Sequence, residues 1–136
     1  MCYNNNTFKM TEIAAHIAVL IFIIMALIQL LLAFGAPIGK MAWGGNYKIL
    51  PPKLRVGSFI SAGIFILAII IILENAKLYI VFNQPTIVDI FSWIFVAIFG
   101  LSTIGNMVSK SRLEKMVMTP VALVLTILCF IIAIGA

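Results

Sequence analysis

The sequence predicts an all-α protein, a bundle of four transmembrane helices. Apolar residues make up 64% of its 136 residues and charged residues only 10%, against about 45–50% and about 25% in a soluble domain. A globule this small keeps much of its surface exposed, so it has no interior able to hide that excess. The excess also falls into four runs, and four spans of about 20 residues account for it. These observations exclude a soluble enzyme, a free nucleic-acid-binding domain, a disordered chain and a disulfide-stapled secreted module.

The first run extends from Ile13 to Phe34, broken only by His16 and Gln29. Thr11 and Glu12 suit its start, as cap and as an acid near the positive helix end, which predicts a helix over about 12–34. This core is longer than the about 7–15 residues of a signal-peptide h-region, so the span reads as retained. The second helix is expected over about 54–74, ending at Glu74-Asn75. The third is expected over about 86–107, where Thr86-Ile87-Val88-Asp89 after Pro85 reads as a capping-box variant. For the fourth, Ser111-Arg112-Leu113-Glu114 is a capping box that predicts a helix over about 112–135 with Pro120 inside it. Thr119-Pro120 offers a later start, with Pro at the first helical position. Strands compete, since Ile, Val and Phe abound, but the stretch Ile64 to Leu73 shows no alternation and a membrane barrel needs it. All four helices belong to one membrane domain covering 1–136.

Lys and Arg give the orientation. The loop over 35–55 holds Lys40, Lys48, Lys53 and Arg55, and the loop over 106–115 holds Lys110, Arg112 and Lys115. On the other side stand only Lys9 and Lys77. Seven against two predicts two basic cytoplasmic loops and both termini extracytoplasmic. The net charge of +5 is therefore mostly an orientation signal, pointing to anionic lipid headgroups and not to nucleic acid. Of the two cysteines, Cys2 reads as a free thiol and Cys129 as a small core residue.

The loops carry the most distinctive wording. Gly35-Ala36-Pro37-x-Gly39, Ala42-Trp43-Gly44-Gly45 and Leu50-Pro51-x-x-Leu54-Arg55 follow one another in the first. The second reads Asn106-x-x-Ser109-x-Ser111-x-x-Glu114, with Pro120 beyond it. Over roughly residues 29 to 124 the chain resembles a widespread group of uncharacterised bacterial four-helix integral membrane proteins. That group has a Gly-Ala-Pro and Ala-Trp-Gly-Gly loop after the first helix and an Asn-Ser-Ser-Glu-Pro pattern leading into the fourth. The resemblance implies a compact multi-pass protein of the bacterial cell membrane and brings no activity with it. Ile38-Gly39-Lys40-Met41 and Ile104-Gly105-Asn106-Met107 also suggest a weak repeat of two hairpins.

Polar residues cluster by depth. Gln29, Ser58, Ser61, Ser102, Thr103 and Asn106 lie in the cytoplasmic third of the expected bundle, beside Trp43, Lys53, Arg55, Ser109, Ser111, Arg112 and Glu114 in or near the loops. Polar groups in hydrocarbon must find partners, so they face the interior or a wet cavity. One reading is a ligand-binding pocket for an anionic headgroup or metabolite. Its candidate residues are Gln29, Trp43, Lys53, Arg55, Ser58, Asn106, Ser109, Ser111, Arg112 and Glu114, with the arginines as bidentate donors. The other reading is that these residues only cap helices and tie loops to helix ends.

At the far end, Glu12, His16, Glu74 and Asp89 could hold a cation or relay a proton, but one His is too few for a usual metal site and each carboxylate also reads as local capping. Gln29 follows His16 at a distance of some 220° around and about 20 Å along a helix, so the two cannot share a site. One copy thus lacks a polar path, and transport would need an oligomer or a rearrangement. Gly57-x-x-x-Ser61 and Ser58-x-x-x-Ala62 are small-residue pairs suited to close helix packing or to a homodimer seam. No nucleophile stands with a base and orienter, no phosphate-binding loop is present, and no pair of axial haem ligands offers itself. The expectation is a non-enzymatic membrane accessory or binding protein without cofactor or metal. Its cytoplasmic polar, basic face would engage an anionic lipid, a small ligand or a partner membrane subunit, and its other partners would be membrane lipids or a second copy. A small oligomeric transporter or channel is the alternative.

Overall fold

The computed structural model describes residues 5–135, so Cys2 lies outside the described residues. Four long helices account for most of the chain: α1 (Asn5–Ala33), α2 (Pro52–Asn75), α3 (Pro85–Met107) and α4 (Thr119–Gly135). A π turn over Glu114–Met118 runs directly into α4. No strand occurs among the described residues. All four helices are long and apolar enough to cross a membrane. Large side chains such as Leu20, Leu27, Ile60, Leu101 and Ile127 point away from the bundle and are exposed. A soluble monomer rarely shows so much contiguous apolar surface.

Helix ends depart from the capping expectations in two places, at the first and third helices. The first helix already includes Asn5, the first described residue, and so does not start near residue 12. Between Asn5 and Phe34 there is neither Gly nor Pro to stop it, and Thr11 is no cap: its hydroxyl donates to the Thr7 carbonyl one turn back at 3.0 Å. The capping box at Thr86 does not form either. Pro85 occupies the first turn and the cap position falls to Gln84, which makes no side-chain cap bond. The fourth helix takes the earlier of its two possible starts. Pro120 has no N–H for the Met116 carbonyl, and its ring crowds that oxygen in a regular helix. The π turn, one residue wider than an α turn, makes room for it.

Around the ring of helices, α1 packs broadly on α2 and on α4, α3 packs broadly on α4, and the α2–α3 seam is the thinnest. Small residues permit the close approach: Ala14, Ala15 and Ala18 of α1 and Ala68 of α2 are buried in the main core with Phe22, Ile71, Ile72, Leu125 and Ile132. Phe22, Phe65 and Phe99 meet at mid-bundle, with ring centroids 5.9, 5.1 and 6.0 Å apart. They separate this core from the half of the bundle beneath the two basic loops. There a second small cluster, Leu32, Ala42 and Leu50, fastens the first loop to α1.

Candidate functional site

The first basic loop is folded by glycines and one arginine. Gly35 takes φ +90° just past α1, and the Arg55 guanidinium lies over it, so that a Cβ there would stand 2.8 Å from Nη2. Arg55 Nε also donates to the Leu50 carbonyl at 2.8 Å. The Gly39 amide donates to the Lys48 carbonyl at 2.8 Å and closes the loop on itself. Next come Trp43, Gly44 and Gly45 at φ 52°, 79° and 70°. For a bulky residue such as Trp this left-handed backbone costs about 1–3 kcal/mol. Two contacts hold it: the indole Nε1 donates to Ser58 Oγ at 3.2 Å, and the ring lies on Gly57, where a Cβ would sit 2.7 Å away.

The second loop grips the first through Ser111 and Glu114. Ser111 caps the fourth helix, its Oγ accepting from the Glu114 amide at 3.3 Å. In a full capping box the glutamate would return to the Ser111 amide. Here that amide donates instead to Ser109 Oγ, at 3.1 Å. Glu114 is thereby released to reach across: its Oε2 accepts from the Gly44 amide at 3.1 Å and from the Ser109 hydroxyl. Ser111 Oγ also donates to the Lys40 carbonyl at 2.6 Å, and Gly45 packs so closely on Ser111 that a Cβ would stand 2.5 Å from its Cβ.

Beneath this clasp lies a cavity of about 730 Å³ lined by all four helices and both loops. Its rim holds Trp43, Gly44, Asn46, Ser109, Lys110 and Glu114; its floor is Phe65, Phe99, Met25 and Leu125. Between them runs a collar of uncharged polar side chains, Gln29, Ser61, Ser102 and Asn106. Antiparallel packing explains the collar. Arg55 over Gly35 aligns α2 with α1, and Phe65 on Phe99 aligns it with α3. At about 1.5 Å per residue these registers bring Gln29, Ser61 and Ser102 to one depth, with Asn106 about one turn nearer the loops. The Ser61 hydroxyl returns to the Gly57 carbonyl at 3.0 Å. The buried Gln29 Oε1 has no hydrogen-bond partner.

Of the residues singled out in the sequence, Gln29, Trp43, Asn106, Ser109 and Glu114 line this cavity. Ser58 lies fully buried and bonds Trp43; Ser111 joins the two loops. The two arginines do not converge on it: Arg55 is turned onto Gly35 and Leu50, while Arg112 and Lys53 are exposed away from the cavity. Lys110 is the cation on its rim. Lys110, Asn46 and the aromatic floor escaped the sequence reading, since Phe65 and Phe99 look like any core phenylalanine until the register pairs them. The Gly39 and Gly105 segments are also unlike: the first is a short helical turn in a loop, the second the last turn of α3.

The far end is built differently. Both oxygens of Glu74 accept backbone amides, from Val81 at 3.1 Å, Phe82 at 2.9 Å and Asn83 at 2.7 Å. Asn75 donates to Ser92, which donates to the Val88 carbonyl at 2.9 Å and so ties α2 to α3. His16 pairs with the Glu12 carbonyl at 2.7 Å, within its own helix. Among the described residues no three of His, Cys, Asp and Glu gather as metal ligands would. No family model matches the chain, and neither a curated protein nor a solved structure matches it.

Proposed function

We propose that the chain is a non-enzymatic integral membrane binding protein that holds a small amphiphilic ligand in the cavity beneath its basic loops. The observation that carries this reading is the graded lining of that cavity: charged and amide groups at the rim, an uncharged polar collar, then aromatic and aliphatic carbon at the floor. Such a gradient matches one leaflet of a bilayer, and its volume falls within the about 300–1,000 Å³ of small-molecule sites. The basic loops, with seven of the nine Lys and Arg residues, face the cytoplasm in this reading and both termini face outward. Arg55, Arg112 and Lys53 then meet anionic headgroups around the protein and not the ligand within it. The cluster at Phe22, Phe65 and Phe99 favours binding over transport, because it closes the cavity at mid-bundle.

Native mass spectrometry of the protein extracted in mild detergent tests this directly. The unsubstituted protein is expected to carry a non-covalent adduct. Ala122→Phe, which puts a ring into the cavity from α4, is expected to lose it while keeping its helical content. Equal adducts on both proteins, or none on the unsubstituted one, refute the reading.

A further inference from the structure

We propose that the cavity selects a single-chain amphiphile with an uncharged, hydroxyl-bearing head. The head would sit on the Gln29–Ser102–Asn106 collar, with the chain passing along Phe65 and Phe99 toward the α2–α3 seam. This rests on the binding reading above and names the ligand class for the same site.

Size comes first. At about 30 Å³ for a water-sized unit, 730 Å³ holds roughly 24 such units, which suits one acyl chain with a small head.

Charge comes second. Among the described residues the cavity lining carries one cation, Lys110, and one carboxylate, Glu114, both at the rim; the other loop cations do not line it, so the head would meet no arginine fork and no lysine cluster inside. Below the rim every polar lining group is an amide or a hydroxyl.

Hydrogen bonding comes third. Among the described residues the side chains of Gln29, Ser102 and Asn106 bond to no other protein group, and the Gln29 oxygen is buried. Amides offer both donors and acceptors, and a hydroxyl both gives and takes. It therefore complements this collar, where a carboxylate or phosphate only accepts.

The route is lateral. Ser102 and Gly105 line the cavity and are nonetheless exposed. They lie on α3 beside the thinnest helix seam. The far end of that same seam is tied by Asn75 and Ser92. Its loop half is where a chain already dissolved in the bilayer can pass.

The test uses Trp43 emission, in a Trp93→Phe background, with the full chain in nanodiscs. Three probes of equal chain length are titrated: monooleoylglycerol, oleate and lysophosphatidic acid. The expected result is a saturable change with monooleoylglycerol and at least tenfold weaker binding of both anionic probes. Asn106→Leu is expected to weaken monooleoylglycerol at least tenfold; Ser102→Ala, at an exposed position that folding tolerates, is expected to weaken it several-fold. Anionic probes binding as tightly as the neutral one overturn the head-class assignment and leave the binding reading standing. Absence of saturable binding by all three probes overturns both. Neutral binding unchanged by Ser102→Ala and by a folded Asn106→Leu places the head elsewhere and overturns the collar assignment.

Discussion

Gly57 and Gly63 lie on the same helix, and replacing each by Ala separates a packing effect from a propensity effect. Both substitutions gain the same intrinsic helix preference, about 1 kcal/mol, so that gain cancels in the comparison. A Cβ at Gly63 meets nothing within 4 Å, while one at Gly57 meets Trp43 Cζ2 at 2.7 Å and Cη2 at 2.8 Å. Carbon contacts relax only near about 3.5–4.0 Å, so the indole must retreat by roughly 1 Å. Its hydrogen bond to Ser58, already at 3.2 Å, is then lost. That bond contributes about 0.5–1.5 kcal/mol, and a fully buried hydroxyl left without its donor raises the loss toward about 1–3 kcal/mol. Ser58 is 0% exposed, so water cannot replace the indole. Gly57→Ala is therefore expected to be less stable than Gly63→Ala by about 1–3 kcal/mol in unfolding titrations with SDS in mixed micelles. In a Trp93→Phe background, Trp43 emission is expected to shift to the red in Gly57→Ala alone. Equal stabilities, or unmoved emission, refute the claim that Trp43 is seated on Gly57 and held by Ser58.

Two further substitutions probe the ties at either end of the bundle. Glu114→Ala leaves the Gly44 amide and the Ser109 hydroxyl without their acceptor; hydrogen bonds to a charged group contribute about 1.5–3 kcal/mol, so limited proteolysis of the loop over 36–49 is expected to quicken roughly tenfold or more, and an unchanged rate means that the loops are held by other contacts. Asn75→Ala is expected to cost about 0.6 kcal/mol and at most about 1.7 kcal/mol, the average and the maximum that double-mutant cycles give for interhelical hydrogen bonds in membranes, and a double-mutant cycle with Ser92→Ala is expected to show coupling of that size, zero coupling arguing against the bond.

The four helices were legible because their signal is redundant: long apolar runs and the breakers between them agree. The helix starts were less legible, because a residue such as Thr11 satisfies its hydroxyl equally well as a cap or by bonding one turn back inside a helix. The polar depth of Gln29, Ser102 and Asn106 was readable from position alone, since each lies within about two turns of the loop end of its span. Whether Arg55 and Arg112 joined them was not. A long arginine side chain can reach in several directions, and the direction of Arg55 is set by Gly35, a residue distant in sequence whose missing side chain makes the space.

Glu114 shows how one local choice turns a sequence pattern into tertiary structure. Ser111 and Glu114 spell a closed capping box, in which both side chains would be spent on the helix end. Ser109, two residues before the cap, takes the Ser111 amide instead. The glutamate so released gains two donors, one of them the Gly44 amide on the other loop. That amide is presented only because Trp43, Gly44 and Gly45 hold a left-handed backbone, and Trp43 tolerates it through Ser58 and Gly57 on α2. The chain of dependence runs from α2 through the first loop to the start of the fourth helix, and it roofs the cavity at each step. A clasp that requires a strained tryptophan, two closely packed glycines and an opened capping box is more than helix ends alone require.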